Sequence, residues 1–179
     1  AMEIAEKYPS SFIPSQFENP DNPNCHKRTT AKEIIRDMED ENVDAFVSAY
    51  GTGGTVSGTG AALKEHYKNI KIIGVEPTES PLVSKGVAGP HKIQGIGANF
   101  VPKNLDVKIL DEIITVKFED AKAMCQEIAK IEGMLVGVSA GAALVAATEL
   151  AKRDEFEGKN IVVILPDTGE RYLSTGLFE

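Results

Sequence analysis

Apolar residues recur along this chain in two alternating patterns. Segments with the three-to-four spacing of one helix face run from Thr29 or Thr30 to about Met38, from a glycine-rich stretch to His66, and over FEDAKAMCQEIAKIEG and SAGAALVAATELAKR. Between them stand the short runs VDAFVSA, KIIGVEP, IITV, LVGVS and NIVVILP, apolar throughout, as strands buried between helix layers are. Helix end signals agree with this division. Glu119 and Asp120 sit in one first turn, and Gly133 lies just past the end of the same helix. Strands alternating with helices predict an α/β fold with an open, mostly parallel sheet and helices on both faces. Ligands on such a sheet bind at the carboxyl ends of the strands.

The chain opens with AMEIAEKYP, which reads as the end of an amphipathic helix with no capping residue ahead of it and Pro9 behind. That opening suggests a fragment of a longer protein. Residues 9–28 are rich in Pro, Asn and Ser and read as an ordered loop, because Phe12, Ile13 and Phe17 need something to bury against. Residues 1–28 are therefore expected to be a junction and residues 29–179 an α/β domain. Residues 78–106 are long for a structureless loop, and their scattered Val, Ile and Phe favour a functional one. The ending, PDTGERYLSTGLFE, reads as a loop into a short turn.

Composition narrows the partners. A net charge of -8 and a pI near 5.0 argue against nucleic acid, which needs a clustered basic surface. No apolar run reaches membrane-spanning length. Cys25 and Cys125 lie far apart with no CxxC pairing, which suits a reducing compartment and excludes a cysteine-built metal site. A cytoplasmic protein with a small-molecule ligand fits best.

The stretch GTGGTVSGTG, Gly51 to Gly60, runs from a strand into a helix. Bare backbone there lets successive N–H groups turn inward beside the positive end of the helix, which makes an anion cradle. Thr52, Thr55, Ser57 and Thr59 can add hydroxyl donors. A nucleotide-triphosphate loop would need GxxxxGK[ST], and the first lysine is Lys64, well inside the helix. A dinucleotide GxGxxG would need glycine at Val56 or Leu63, although Glu76 sits where a ribose-binding acid would. The dinucleotide reading is weakened but stays open, while the four hydroxyls are of the kind that surround a phosphate monoester. A second turn, LVGVSAGAAL, places Ser139 at the cap of a helix that begins with small residues. Either turn alone has a plain structural explanation in tight packing or capping; both at one sheet edge argue for a site. His26, His66 and His91 are scattered without metal spacing, the adjacent Cys25 and His26 do not make a nucleophile–base pair, and Asp167 with Glu170 reads as a capped turn.

The stretches QFENPDNPNCHKRTT, GTGGTVSGTG, IIGVEPTES, GPHKIQGIGANFVP, LVGVSAGAA and GERYLST occur in this order along nearly all of the chain. Together they resemble the cysteine synthases (O-acetylserine sulfhydrylases) of the fold-type II pyridoxal-phosphate enzymes. The resemblance implies that Gly51, Thr52, Gly53, Gly54 and Thr55 hold the 5'-phosphate of pyridoxal 5'-phosphate. It makes Ser139 the partner of the pyridine nitrogen, Gln16 a contact of the substrate carboxylate, and Gly95, Ile96, Gly97 and Ala98 the lining of the substrate pocket. The implied reaction is β-replacement, in which sulfide takes the place of the acetate of O-acetylserine to give L-cysteine. A homodimer, and a cleft that takes the C-terminal tail of serine acetyltransferase, are implied as well.

Three departures qualify the match. TTAKEI stands where the family usually has TTGPEI, and GVSAGA where GISSGA is common. The family's Schiff-base lysine, in a segment like SVKDR, and its asparagine loop, like TSGNTG, are both missing. No catalytic lysine is therefore expected in this chain, which resembles the C-terminal portion of such an enzyme and by itself should be inactive. Cystathionine β-synthase and phosphoserine-type sulfhydrylases share the phosphate loop. A non-catalytic dock for serine acetyltransferase and a Rossmann-type dehydrogenase are rivals from other classes.

Overall fold

In the computed structural model, which describes residues 1–179, four of the five apolar runs become strands: β1 (Ala45–Ala49), β2 (Lys71–Pro77), β3 (Glu112–Val116) and β4 (Ile161–Val163). All pair in parallel, in the order β3-β2-β1-β4. The chain steps outward from β1 to β3 and then returns to the far side of β1. The reversal falls between β1 and β4, so the ligand crevice of this sheet lies beyond the carboxyl end of β1.

Side chains alternate across the sheet and split the core in two. Ala45, Val47, Ile73, Val75, Ile114 and Val116 face α6 (Phe118–Ile131) and α7 (Val138–Ala151). Phe46 and Ile72 face the opposite way, toward Val56 and Leu63 of α4 (Gly54–His66) and toward α3 (Thr30–Asp37). Phe46, Val47, Ile72 and Val75 are fully buried, and each contributes about 1.5–3 kcal/mol relative to an exposed position. Two short helices, α1 (Met2–Lys7) and α5 (Leu82–Lys85), bury no residue.

Three local expectations are corrected. Residues 9–28 are not all loop, because Asp21–Arg28 form a helix, α2, packed against α4. Its prolines misled: Pro20 precedes the helix and Pro23 lies in its first turn, where a missing N–H breaks no hydrogen bond. The run LVGVS joins no sheet; only Val136 forms an isolated antiparallel bridge, to Thr168. Thr29 gives α3 no side-chain cap and instead donates back to the Cys25 carbonyl at 2.9 Å.

The glycines of α4 admit α2. A Cβ on Gly54 would strike the Asn22 side chain, and one on Gly58 the Pro23 carbonyl. Gly74 does the same for Tyr50, since a Cβ there would lie 2.8 Å from Cε1 of the ring. Tyr50 thereby reaches along β2 to donate its hydroxyl to Glu76 Oε2 at 2.9 Å. Glu76 also accepts the Val83 and Ser84 N–H groups at 3.1 and 3.0 Å, together with the Ser84 hydroxyl, and so anchors the start of the long segment after β2. A carboxylate so occupied is spent on structure and has no lone pair to offer a ribose.

One ion pair sets an acid limit on stability. Arg153, just past α7, grips Glu112 of β3 with two hydrogen bonds of 2.8 Å and reaches Glu149 at 3.0 Å. The Arg153 hydrogen bonds hold Glu112 below the usual carboxylate range. Burial pushes neighbouring Asp111 up, but the Ile72 N–H and Lys64 outweigh it and bring that group below its ordinary value too. A carboxylate lowered by folding stabilises above its unfolded pKa, about 4, and this stabilisation is lost as pH falls through the lower folded value. Urea midpoints measured from pH 6 to pH 3 should therefore fall, and Arg153→Met should flatten that fall.

Candidate functional site

The site begins where β1 ends. Gly53 takes φ +82°, a left-handed conformation that turns the chain into α4. The main-chain N–H groups of Gly51, Thr52, Gly53, Thr55 and Val56 find no acceptor in the chain, while that of Gly54 meets Thr52 Oγ1 at 3.4 Å. They stand together at the positive end of a 13-residue helix. Of the four hydroxyls, only Thr52 and Thr55 remain at the loop. Ser57 accepts the Asp106 N–H at 2.9 Å, and Thr59 is fully buried further along α4.

Helix α2 walls this loop, a part that sequence reasoning missed because the helix was hidden behind its prolines. Asn22 and His26 lie four residues apart, on one face of α2. Asn22 Nδ2 donates to Thr52 Oγ1 at 3.0 Å, and His26 Nε2 lies 3.2 Å from Thr55 Oγ1. Gln16 is exposed, and its carbonyl accepts from Asn22 Nδ2 and Asn104 Nδ2, each at 2.8 Å. The segment carrying Gln16 is thus tied to the loop through Asn22.

The segment Gly95–Ala98 joins the two halves of the site. The Gly95 carbonyl lies against Gly51, close enough that a Cβ there would collide with it. Gly97 N–H donates to the Tyr50 carbonyl at 3.3 Å, and the Gly97 carbonyl pairs with His91 Nε2 at 2.8 Å. Ile96 is buried, while Gly95, Gly97 and Ala98 keep some exposure. A Cβ on Gly95 would lie 4.0 Å from Ser139 Oγ, which brings the serine to the same edge. The predicted residues of both turns therefore meet through this segment, and Gln16 connects to them by its backbone.

Ser139 is not the cap of α7; Gly137 holds that position. Ser139 is 4% exposed, and its hydroxyl donates to Asp167 Oδ1 at 3.3 Å. Its proton is thereby directed at Asp167, and rotation about the Cβ–Oγ bond would redirect it to an acceptor in front of it. Tyr172 donates to the other oxygen of Asp167 at 2.6 Å, and burial with this bond pushes the phenol well above its usual range. Asp167 thus belongs to the site by supporting Ser139, a role that its place in a terminal turn concealed. Behind it, Cys125 donates to the Gly137 carbonyl at 3.2 Å; burial pushes its thiol up to about 11 and leaves it inert at neutral pH. No helix of the chain is long and apolar enough to cross a membrane.

Residues 1–167 match the family model described as pyridoxal-phosphate dependent enzyme. The chain belongs to this family. It is 54% identical over 178 residues to cysteine synthase B of Campylobacter jejuni, covering 99% of this chain and 58% of that protein. The crystal structure of a cysteine synthase from Entamoeba histolytica superimposes with a TM-score of 0.94 at 47% identity, over 99% of this chain and 52% of the other. An O-acetylserine dependent cystathionine β-synthase from Helicobacter pylori follows with 0.92 and 43%, over 99% and 57%. The chain spans a little over half the length of these relatives. The family's cofactor has a phosphate at one end and a ring nitrogen at the other. The groups here suit both: unpaired N–H groups and two hydroxyls, with no carboxylate in the loop, for the phosphate, and a buried serine hydroxyl that can donate to the ring nitrogen across the crevice.

Proposed function

We propose that this chain carries the cofactor half-site of a cysteine synthase, the enzyme that replaces the acetate of O-acetylserine by sulfide to form L-cysteine. The observation that carries the reading is the convergence of the 51–55 loop, the Gly95–Ala98 segment and Ser139 at one sheet edge in a member of this family. Gly51, Thr52, Gly53, Gly54 and Thr55 would hold the 5'-phosphate, and Ser139 would meet the ring nitrogen. Gln16 and Gly95, Ile96, Gly97 and Ala98 would bind and orient the amino-acid substrate. Pyridoxal phosphate, when bound, supplies the electron sink on which β-replacement depends. This chain's part is to fix that group at both ends, with the Ser139 hydroxyl turned from Asp167 to donate to the ring nitrogen. Residues 29–179 are the phosphate-binding domain, and residues 1–28 contribute the α2 wall and Gln16 from the junction. A homodimeric, cytoplasmic enzyme that takes the C-terminal tail of serine acetyltransferase in its cleft goes with the same reading.

Titration with pyridoxal phosphate, followed by borohydride reduction and peptide mass mapping, tests the half-site. Saturable binding that inorganic phosphate competes away, with only scattered lysine labelling, is expected. A stoichiometric adduct on one lysine would mean that this chain carries its own Schiff-base lysine. Absence of saturable binding would sink the cofactor assignment.

A further inference from the structure

Asn22 and His26 meet the two hydroxyls of the loop one for one. Asn22 Nδ2 lies 2.8 Å from the Gln16 carbonyl oxygen and 3.0 Å from Thr52 Oγ1. A carbonyl oxygen only accepts, so the NH₂ end of the amide faces both groups and Thr52 is an acceptor there. The O–H hydrogen of Thr52 stays unspent.

At Thr55 the same outcome depends on one proton. His26 Nδ1 lies 2.9 Å from Thr30 Oγ1, and Nε2 lies 3.2 Å from Thr55 Oγ1. With the proton on Nε2, the ring donates to Thr55 and frees its O–H to point into the loop. With the proton on Nδ1, Thr55 must donate to the ring and shows the loop only lone pairs. An anion accepts and does not donate, so that second arrangement sets lone pairs against it.

Taking the loop as the phosphate cradle proposed above, we propose that Asn22 and His26 are positioning residues that fix Thr52 and Thr55 as donors. Anion binding and the Nε2-protonated form of His26 then select one another. The groups facing the ring from α3 and α4 are the hydroxyls of Thr30 and Thr55. On its own helix stand Lys27, paired with Glu65 of α4 at 2.6 Å, and Arg28, which donates to the Asn24 carbonyl. Burial lowers the His26 pKa from its usual value, so the ring is neutral at neutral pH and its tautomer decides what Thr55 offers. A bound dianion favours the charged ring as well, since that form donates from both nitrogens.

Nitrogen-15 NMR of the whole chain, titrated with sulfate, reads each part separately. Sulfate stays a dianion across the working range, so only the protein titrates. Saturation should shift the Gly51–Thr55 amides, place the His26 proton on Nε2 and raise the His26 pKa. His26→Leu should weaken sulfate binding by about tenfold, the effect of one lost hydrogen bond to a charged group, while His26→Gln, whose amide can donate to Thr55, should largely restore it. Shifted amides with His26 protonated on Nδ1 would overturn the relay and leave the cradle standing. Amides unmoved at saturating sulfate would remove the cradle, and the relay with it.

Discussion

Replacing Gly53 by alanine is expected to cost about 2–5 kcal/mol of stability and to abolish anion binding at the 51–55 loop. Two costs coincide at this position. A φ of +82° strains any residue with a Cβ, by about 1–2 kcal/mol. The new Cβ would also lie 2.6 Å from Leu105 Cβ and 2.8 Å from Leu105 N, and backbone cannot swing aside as a flexible side chain can. Relief would come from unwinding the turn that aims the N–H groups. Gly133 supplies the control, because it has a φ of +70° and nothing within 4 Å of the place a Cβ would take. Gly133→Ala should lose only the strain, about 1–2 kcal/mol, and leave anion binding intact. Urea unfolding gives both stabilities and a sulfate titration gives both affinities. Equal losses in the two variants would mean that Leu105 does not confine the loop.

Glu76→Ala should cost about 2–4 kcal/mol and loosen the segment that follows β2. Glu76 is 1% exposed and accepts from Tyr50, Val83 and Ser84, so its removal leaves the Tyr50 hydroxyl and two main-chain N–H groups without partners. The effect should spread to the site, since the Tyr50 carbonyl holds Gly97 and the segment next to it bears the lining residues. Removing both members of the buried pair, Tyr50→Phe with Glu76→Ala, should cost less than the sum of the single changes, because no phenol is then stranded. Hydrogen exchange would report earlier opening of residues 82–98 in the single variant. Unchanged stability would show that Glu76 is held for a ligand and would revive the dinucleotide alternative.

The glycine-rich stretch turns out to serve two purposes. Gly51 and Gly53 shape the loop, one by admitting the Gly95 carbonyl and the other by its left-handed φ. Gly54 and Gly58 instead let α2 approach α4, which brings Asn22 and His26 to the threonine hydroxyls. Helix packing and ligand binding are therefore not competing explanations for these glycines, because the packing builds one wall of the site.

Local pattern by itself determined the α/β class, four of the strands, the long helices and the position of the glycine-rich loop between β1 and α4. These rest on interactions among neighbours in the chain: alternation within a strand, spacing on a helix face, and unpaired N–H groups at a helix start. The family resemblance was legible for the same reason, since its stretches are contiguous. Only the tertiary structure decided that LVGVS stays outside the sheet, since a run's apolar character does not tell whether a strand edge is there to receive it. Likewise, α2 is stabilised by the groove that Gly54 and Gly58 leave on α4, and no local signal outweighed its two prolines. Asp167 behind Ser139, and His26 beside Thr55, each join residues 28 or 29 positions apart. Such pairs follow from how helices and turns stack on the sheet, and that stacking places the donors and acceptors of this site.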